Sequence, residues 1–301
     1  MSTPHSVTAD DGTALVAWVD GPETSSDASP TYVLAHGWTL DHTSWDRVTA
    51  GLLAAAPDAR VVRWDQRGHG SSAPGPRRPT IKRLGDDLAS VVRQLAPEGD
   101  VVLAGHSMGG MTILACAGRY PELVAGRVKA VALVSTAGAL SPADGIDVSR
   151  ALDLPERFRP AASAVVPWVM RGLAAMPGRA LVPGQRLDGT RALLFGKDPD
   201  PVDVSRTHQA IAGTRMSTFG RYYLALRLYD EIAGLAHLRV IPISILVGSC
   251  DRLTPQRFSQ DLAQRLPHAS LHVLEGAGHM LPLERADEVL AELLTLSGVA
   301  R

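Results

Sequence analysis

Val101-Val102-Leu103-Ala104-Gly105-His106-Ser107-Met108-Gly109-Gly110-Met111-Thr112-Ile113-Leu114-Ala115 is the stretch that decides how the chain is read. Its first four residues form a short apolar run of strand type, and from Met111 onward the pattern is helical. Between them Gly105 to Gly109 match G-x-S-x-G, which chance alone produces in roughly one chain in ten of this length and glycine content. The context is more specific than the letters. A strand, a glycine-flanked serine and a helix form the arrangement that turns a serine into a nucleophile. The turn forces the serine backbone into a strained conformation, and only small flanking residues let strand and helix approach so closely.

Further strand candidates lie at 14–19, 32–35, Arg60–Trp64, 130–134, 243–247 and 271–274, alternating with longer helical patterns. In 82–95, Leu84, Leu88, Val91, Val92 and Leu95 fall on one helical face, as do Val289, Leu290, Leu293 and Leu294 in 285–296. This alternation predicts an α/β protein with a mostly parallel, doubly wound sheet covered on both faces. The Gly/Pro/Ser-rich stretch 21–30 reads as a surface loop. From 141 to 235 no convincing strand occurs, and the helical patterns are interrupted by proline and glycine. The domain reading is therefore a core of residues 1–140 and 236–301 carrying a mostly helical cap, 141–235. Such an insertion would sit above the carboxyl edge of the sheet, where open α/β sheets bind ligands. It closes a pocket if it is a lid, and is an ordinary helical subdomain if it is not.

The chain has 301 residues, 45% of them apolar, and a formal net charge of −1 with acids and bases interspersed. Nothing there suggests electrostatic capture of nucleic acid or of an anionic membrane. No apolar run reaches the length of a membrane span, and Met1 to Asp10 have neither a basic n-region nor an apolar h-region. The two cysteines, Cys116 and Cys250, read as reduced packing residues, and a cytoplasmic protein is expected. No cluster has metal-ligand spacing and no G-x-G lies in a dinucleotide-binding context, so neither metal nor cofactor is expected.

A serine hydroxyl needs a base, and the base needs an orienting acid. For a G-x-S-x-G nucleophile the expected chain order is serine, acid, histidine. Asp251 lies in the turn Gly248-Ser249-Cys250-Asp251-Arg252-Leu253-Thr254-Pro255, and His279 in Glu275-Gly276-Ala277-Gly278-His279-Met280. Both follow strand candidates, so both should project from the edge that carries Ser107. The competing roles are a helix N-cap for Asp251 and an idle loop histidine for His279.

These motifs, with His36-Gly37-Trp38 and Asp65-Gln66-Arg67-Gly68-His69-Gly70-Ser71-Ser72, make the chain resemble the α/β-hydrolase fold family, in its bacterial esterase/lipase-like branch. The likeness covers nearly the whole chain outside the cap. It implies an oxyanion hole formed by the backbone amides of Trp38 and Met108, two donors aimed at the oxygen that becomes negative. It also places Asp65 in a structural turn and His36 behind the oxyanion loop. His69 and His106 read as structural hydrogen-bonding residues, and His208 and His237 as surface or packing residues.

Relatives of this fold that dehalogenate alkyl halides or open epoxides carry aspartate at the elbow, so serine implies acyl transfer. A carboxylic ester of hydrophobic character is the expected small-molecule substrate, with Trp168, Met170, Phe195 and Met280 as candidate contacts. A perhydrolase-like side activity, a lactonase, a carbon–carbon bond hydrolase or another tailoring hydrolase would use the same residues. A ligand-sensing receptor on the same fold is the alternative of a different class.

Overall fold

The computed structural model describes residues 3–22, 30–140, 159–176, 178 and 187–298. Most of the expected loop at 21–30 and, within the expected cap, residues 141–158, 177 and 179–186 lie outside them. Eight strands make one sheet: β1 (Thr3–Thr8), β2 (Ala14–Asp20), β3 (Thr31–Ala35), β4 (Arg60–Trp64), β5 (Val101–His106), β6 (Val128–Val134), β7 (Ile243–Gly248) and β8 (Ser270–Leu274). Their spatial order is β1-β2-β4-β3-β5-β6-β7-β8, with β2 antiparallel to both neighbours and all other pairs parallel. After β3 the chain adds β4 on one side and β5 on the other. The crevice at the carboxyl ends of β3 and β5 is therefore the topological switch point, where such sheets hold ligands.

The helices are α1 (Asp46–Ala55), α2 (Ile81–Leu95), α3 (Met108–Arg119), α4 (Pro121–Arg127), α5 (Arg159–Ala175), α6 (Leu187–Leu194), α7 (Pro201–Gly213), α8 (Met216–Leu226), α9 (Gln256–Arg265), α10 (Leu281–Glu284) and α11 (Ala286–Ser297). The two-residue period of the strands divides their side chains between two cores. Val33, Leu103 and Val131 pack with Leu88 and Val92 of α2 and Ile113 of α3 on one face. Tyr32, Leu34, Val102 and Ala132 pack with Leu52 of α1 and with Val289 and Leu293 of α11 on the other. Helix α2 begins where the Thr80 hydroxyl accepts the Arg83 amide at 3.1 Å, one of the donors a helix start leaves unpaired.

Helices α5 to α8 lie between β6 and β7 in the chain. Helix α8 rests on the loops that follow β3 and β4. The Tyr222 hydroxyl donates to Arg67 O at 2.9 Å, the Thr218 hydroxyl to Gly68 O at 3.1 Å, and the nearby Thr214 hydroxyl to Thr39 O at 3.2 Å. Helix α5 crosses α8 closely, since a Cβ on Gly220 would stand 2.4 Å from Met170 O.

Two elements differ from the sequence reading. β1 was not expected, because TPHSVT buries only Val7 and gives an edge strand with no apolar period. The helix expected at 285–296 is α11, but the short α10 ahead of it was not expected; Arg285, at φ −138° and ψ 45°, separates the two.

The α2–α3 crossing also depends on a single glycine. A Cβ at Gly85 would lie 2.7 Å from Cys116 N and 2.8 Å from Ala115 C, both backbone atoms that cannot swing aside. Gly85→Ala should therefore lower the unfolding free energy by about 1–3 kcal/mol, measured by urea denaturation. An unchanged midpoint would show that the helices can part without cost.

Candidate active site

Ser107 joins β5 to α3 at φ 54° and ψ −117°, a positive φ that L-residues rarely adopt. The flanking glycines explain why the chain can turn there. A Cβ on Gly105 would lie 2.4 Å from Gly110 N, and one on Gly109 would lie 2.1 Å from Ala35 O. The turn is tied down by Ser107 N donating to Val134 O at 2.9 Å and by the Thr136 hydroxyl donating to Ser107 O at 2.7 Å. Ser107 is only half-buried, although the residues on either side of it are buried.

Asp251 and His279 follow β7 and β8, so the three sequence-expected residues share the carboxyl edge. His279 Nδ1 and Asp251 Oδ2 are 2.9 Å apart, and both side chains are buried. Asp251 is fixed in turn. Its Oδ1 accepts the Leu253 and Thr254 amides, each at 2.9 Å, and the Thr254 hydroxyl stands 2.9 Å from its Oδ2. Asp251 thus does cap the turn ahead of α9, and still has a lone pair for the imidazole. The backbone of His279 is held against the residue next to Ser107, because His106 Nε2 donates to His279 O at 2.8 Å and the two rings lie 4.9 Å apart.

The loop after β3 completes the crevice. His36 is fully buried, with Nδ1 donating to Gly37 O at 2.7 Å and Nε2 accepting the Gln66 amide at 2.9 Å. Gln66 also donates through its side chain to His36 O and accepts the Thr112 hydroxyl at 2.7 Å, tying the loop to α3. The carbonyls of Gly37, Trp38 and Thr39 are all engaged, by His36 and Leu40, by the Thr39 hydroxyl and by the Thr214 hydroxyl. Met108 begins α3, so its amide is among those a helix leaves without an internal acceptor. Asp65 is consumed by a turn: it accepts His42 N and Nδ1 at 2.9 Å each and Ser71 N at 2.7 Å.

Of the expected apolar contacts, Met170 is buried with Phe219 and Tyr223 beside Trp38, whose ring lies 4.6 Å from that of Phe219. Phe195 and Met280 are buried together with Leu40 and Leu283. Trp168 departs from the expectation. It is 70% exposed, with the Arg171 guanidinium 5.1 Å above its ring. Helix α5 turns Val166, Met170 and Leu173 inward at helical spacing, leaving Val165, Trp168 and Val169 outside. Sequence reasoning missed Thr254 and Gln66, polar residues whose partners come from distant segments. Cys116 is buried and Cys250 half-buried, and neither is in a disulfide. Among the described residues no group of three or more His, Cys, Asp or Glu side chains could hold a metal, and no helix is long and apolar enough to cross a membrane.

With this geometry in place, comparisons with known proteins identify the family. Residues 32–293 match the model of the alpha/beta hydrolase family, and the chain belongs to it. It is 27% identical to a non-heme haloperoxidase of Rhodococcus erythropolis, over 96% of this chain and 97% of that one. It is likewise 27% identical to an esterase of Mycobacterium tuberculosis, over 90% of this chain and 83% of that one. The solved structure of a thermophilic esterase from Thermogutta terrifontis superposes with a TM-score of 0.74 at 22% identity, covering 98% of this chain and 99% of that one.

Burial pulls three imidazoles around the crevice below their ordinary range: His36, His106 and His69, the last to about 3. The unfolded chain would protonate them near pH 6.5 and the folded protein would not. Stability should therefore fall as pH drops below about 6.5, each withheld proton adding a slope of about 1.4 kcal/mol per pH unit. Urea unfolding at about pH 7.5 and about pH 5 measures this, and His69→Gln should flatten the dependence by about one proton. Equal stability at both pH values would show that the folded protein accommodates the charged rings.

Proposed function

We propose that this protein is a serine hydrolase cleaving a carboxylic ester, with Ser107 as nucleophile, His279 as base and Asp251 as the acid that orients it. The observation that carries the reading is the 2.9 Å His279–Asp251 contact, held by the His106–His279 backbone bond beside a serine in a strained strand-to-helix turn. With Nδ1 donating to Asp251, the free imidazole nitrogen is Nε2, a base suited to the Ser107 hydroxyl. Attack of Oγ on the ester carbonyl gives a tetrahedral intermediate whose oxyanion is stabilised by the amides of Trp38 and Met108. His279 passes the proton to the leaving alcohol. It then draws a proton from water, which attacks the acyl-enzyme, and returns that proton to Ser107 Oγ as the acid is released. No metal or cofactor takes part in this scheme.

Residues 141–235 act in this reading as a cap. Supporting it are the bonds from α8 to the loop after β4 and from Thr214 to the loop after β3, and the apolar cluster of Met170, Phe219 and Tyr223 beside Trp38. That wall suits a hydrophobic acyl or alcohol group. Sequence similarity to an esterase and a haloperoxidase along most of the chain is consistent with acyl chemistry.

Ser107→Ala, His279→Ala and Asp251→Asn should each lower kcat/KM on p-nitrophenyl esters by at least ~10³-fold, with the fold retained by circular dichroism. Turnover by Ser107→Ala comparable to wild type would sink the mechanism. The series from acetyl to dodecanoyl gauges the acyl pocket. A folded wild type that labels once and keeps the adduct would point to a sensor, and one inert on simple esters to a lactone or carbon–carbon bond.

A further inference from the structure

We infer that Glu284 is a positioning residue that fixes the backbone carrying His279 and ties it to the segment joining α6 to α7, an inference that rests on the hydrolase reading above. The loop after β8 meets the stretch after Leu194 backbone to backbone. Leu194 O accepts His279 N at 2.8 Å and Met280 N at 3.3 Å, and Gly276 O accepts Lys197 N at 2.8 Å. The approach leaves no room for side chains: a Cβ on Gly196 would lie 2.0 Å from Gly276 O, and one on Gly278 would lie 2.4 Å from Phe195 C.

The Glu284 carboxylate sits in this seam and accepts amides from both sides. Gly196 N reaches Oε2 at 2.7 Å, Gly278 N reaches Oε2 at 3.0 Å, and Met280 N reaches Oε1 at 3.1 Å. Its own backbone is fixed by Glu284 N donating to Met280 O at 2.9 Å. The consecutive amides of Gly278, His279 and Met280 are therefore all held by this junction, the outer two by one side chain and the middle one by Leu194. Three fixed peptide planes set the direction of the His279 Cα–Cβ bond, and with it where the imidazole stands relative to Ser107. On the far side Cys250 N donates to Ala277 O at 2.8 Å and Gly276 N to the Ser249 hydroxyl at 2.8 Å, so the loop is also stitched to the Asp251 turn.

Burial raises the carboxyl of Glu284 above its ordinary value, against the pull of three amides and Arg285. A carboxylate accepts all three amides, whereas a side-chain amide would keep one oxygen for Gly196 N and Gly278 N and set its NH2 donor against the Met280 N–H.

The test is steady-state kinetics of Glu284→Ala and Glu284→Gln on acetyl and octanoyl p-nitrophenyl esters, with Ser107→Ala beside them. Misplacing a reacting group by about 1 Å costs up to ~10²-fold. Glu284→Ala should therefore lower kcat by roughly 10- to 100-fold on both esters with KM within about threefold, and Glu284→Gln, which keeps one acceptor oxygen, should fall between it and wild type. Amide exchange at Gly196, Gly278 and Met280 should quicken in the folded variants while that of β8 does not. Wild-type kcat in Glu284→Gln, or a change confined to KM for the octanoyl ester, would overturn the inference. If Glu284→Ala does not fold, the near-isosteric Glu284→Gln decides alone. Turnover surviving Ser107→Ala would refute the hydrolase reading instead, so the two failures are told apart.

Discussion

The left-handed turn at Ser107 is the constraint from which the rest of the site follows. A serine at positive φ costs of order 1–3 kcal/mol and persists only where its surroundings leave no alternative. Here the surroundings are backbone. Gly105 lies under Gly110, Gly109 lies on the carbonyl of Ala35, and Val134 and Thr136 of the neighbouring strand and its loop hold Ser107 from the side. Any side chain at 105 or 109 would separate β5 from α3 or α3 from β3. The tight joint is thus supported by the same parallel strands whose carboxyl ends form the crevice.

Around that joint, polar groups are arranged so that each loop is fixed by another loop. Gln66, which follows β4, holds His36, which follows β3, and reaches Thr112 on α3. Thr254, which follows β7, donates its amide to Asp251 and its hydroxyl to Ser135 O, which follows β6. Deeper still, Arg67 is almost completely buried between Asp87 and Asp11, while its carbonyl receives the Tyr222 hydroxyl of α8. Breaking such a buried ion network on one side leaves an uncompensated charge, which is why its members are tolerated in place but costly to remove singly. Burial raises the Asp87 carboxyl to about 6 even with Arg67 beside it. The helices that follow β6 therefore rest on polar contacts as well as on apolar ones.

Much of this was legible in the sequence, and the exceptions have physical reasons. The strands with two buried faces, such as β3 and β5, announce themselves as unbroken apolar runs, whereas the edge strand β1 buries one side chain and carries no pattern. The chain order of Ser107, Asp251 and His279, each after a strand, placed them on one edge, and the structure brings Asp251 and His279 into contact. The phase of α5 was not readable, because Val165, Trp168 and Val169 are as apolar as Val166, Met170 and Leu173, and only packing decides which face is inward. Glu284 left no trace either. Its partners are backbone amides, which every residue has, and one of them lies in a segment far away in the chain.

The bond from His106 to the carbonyl of His279 has one more consequence. Two imidazoles facing each other at 4.9 Å look like a relay along which a proton could leave the crevice. They form a dead end. The Nε2 hydrogen of His106 is committed to that carbonyl, and burial, reinforced by the neighbouring His279 ring, makes a second proton on His106 strongly unfavourable. A proton arriving on His279 therefore has no downhill path through this neighbour.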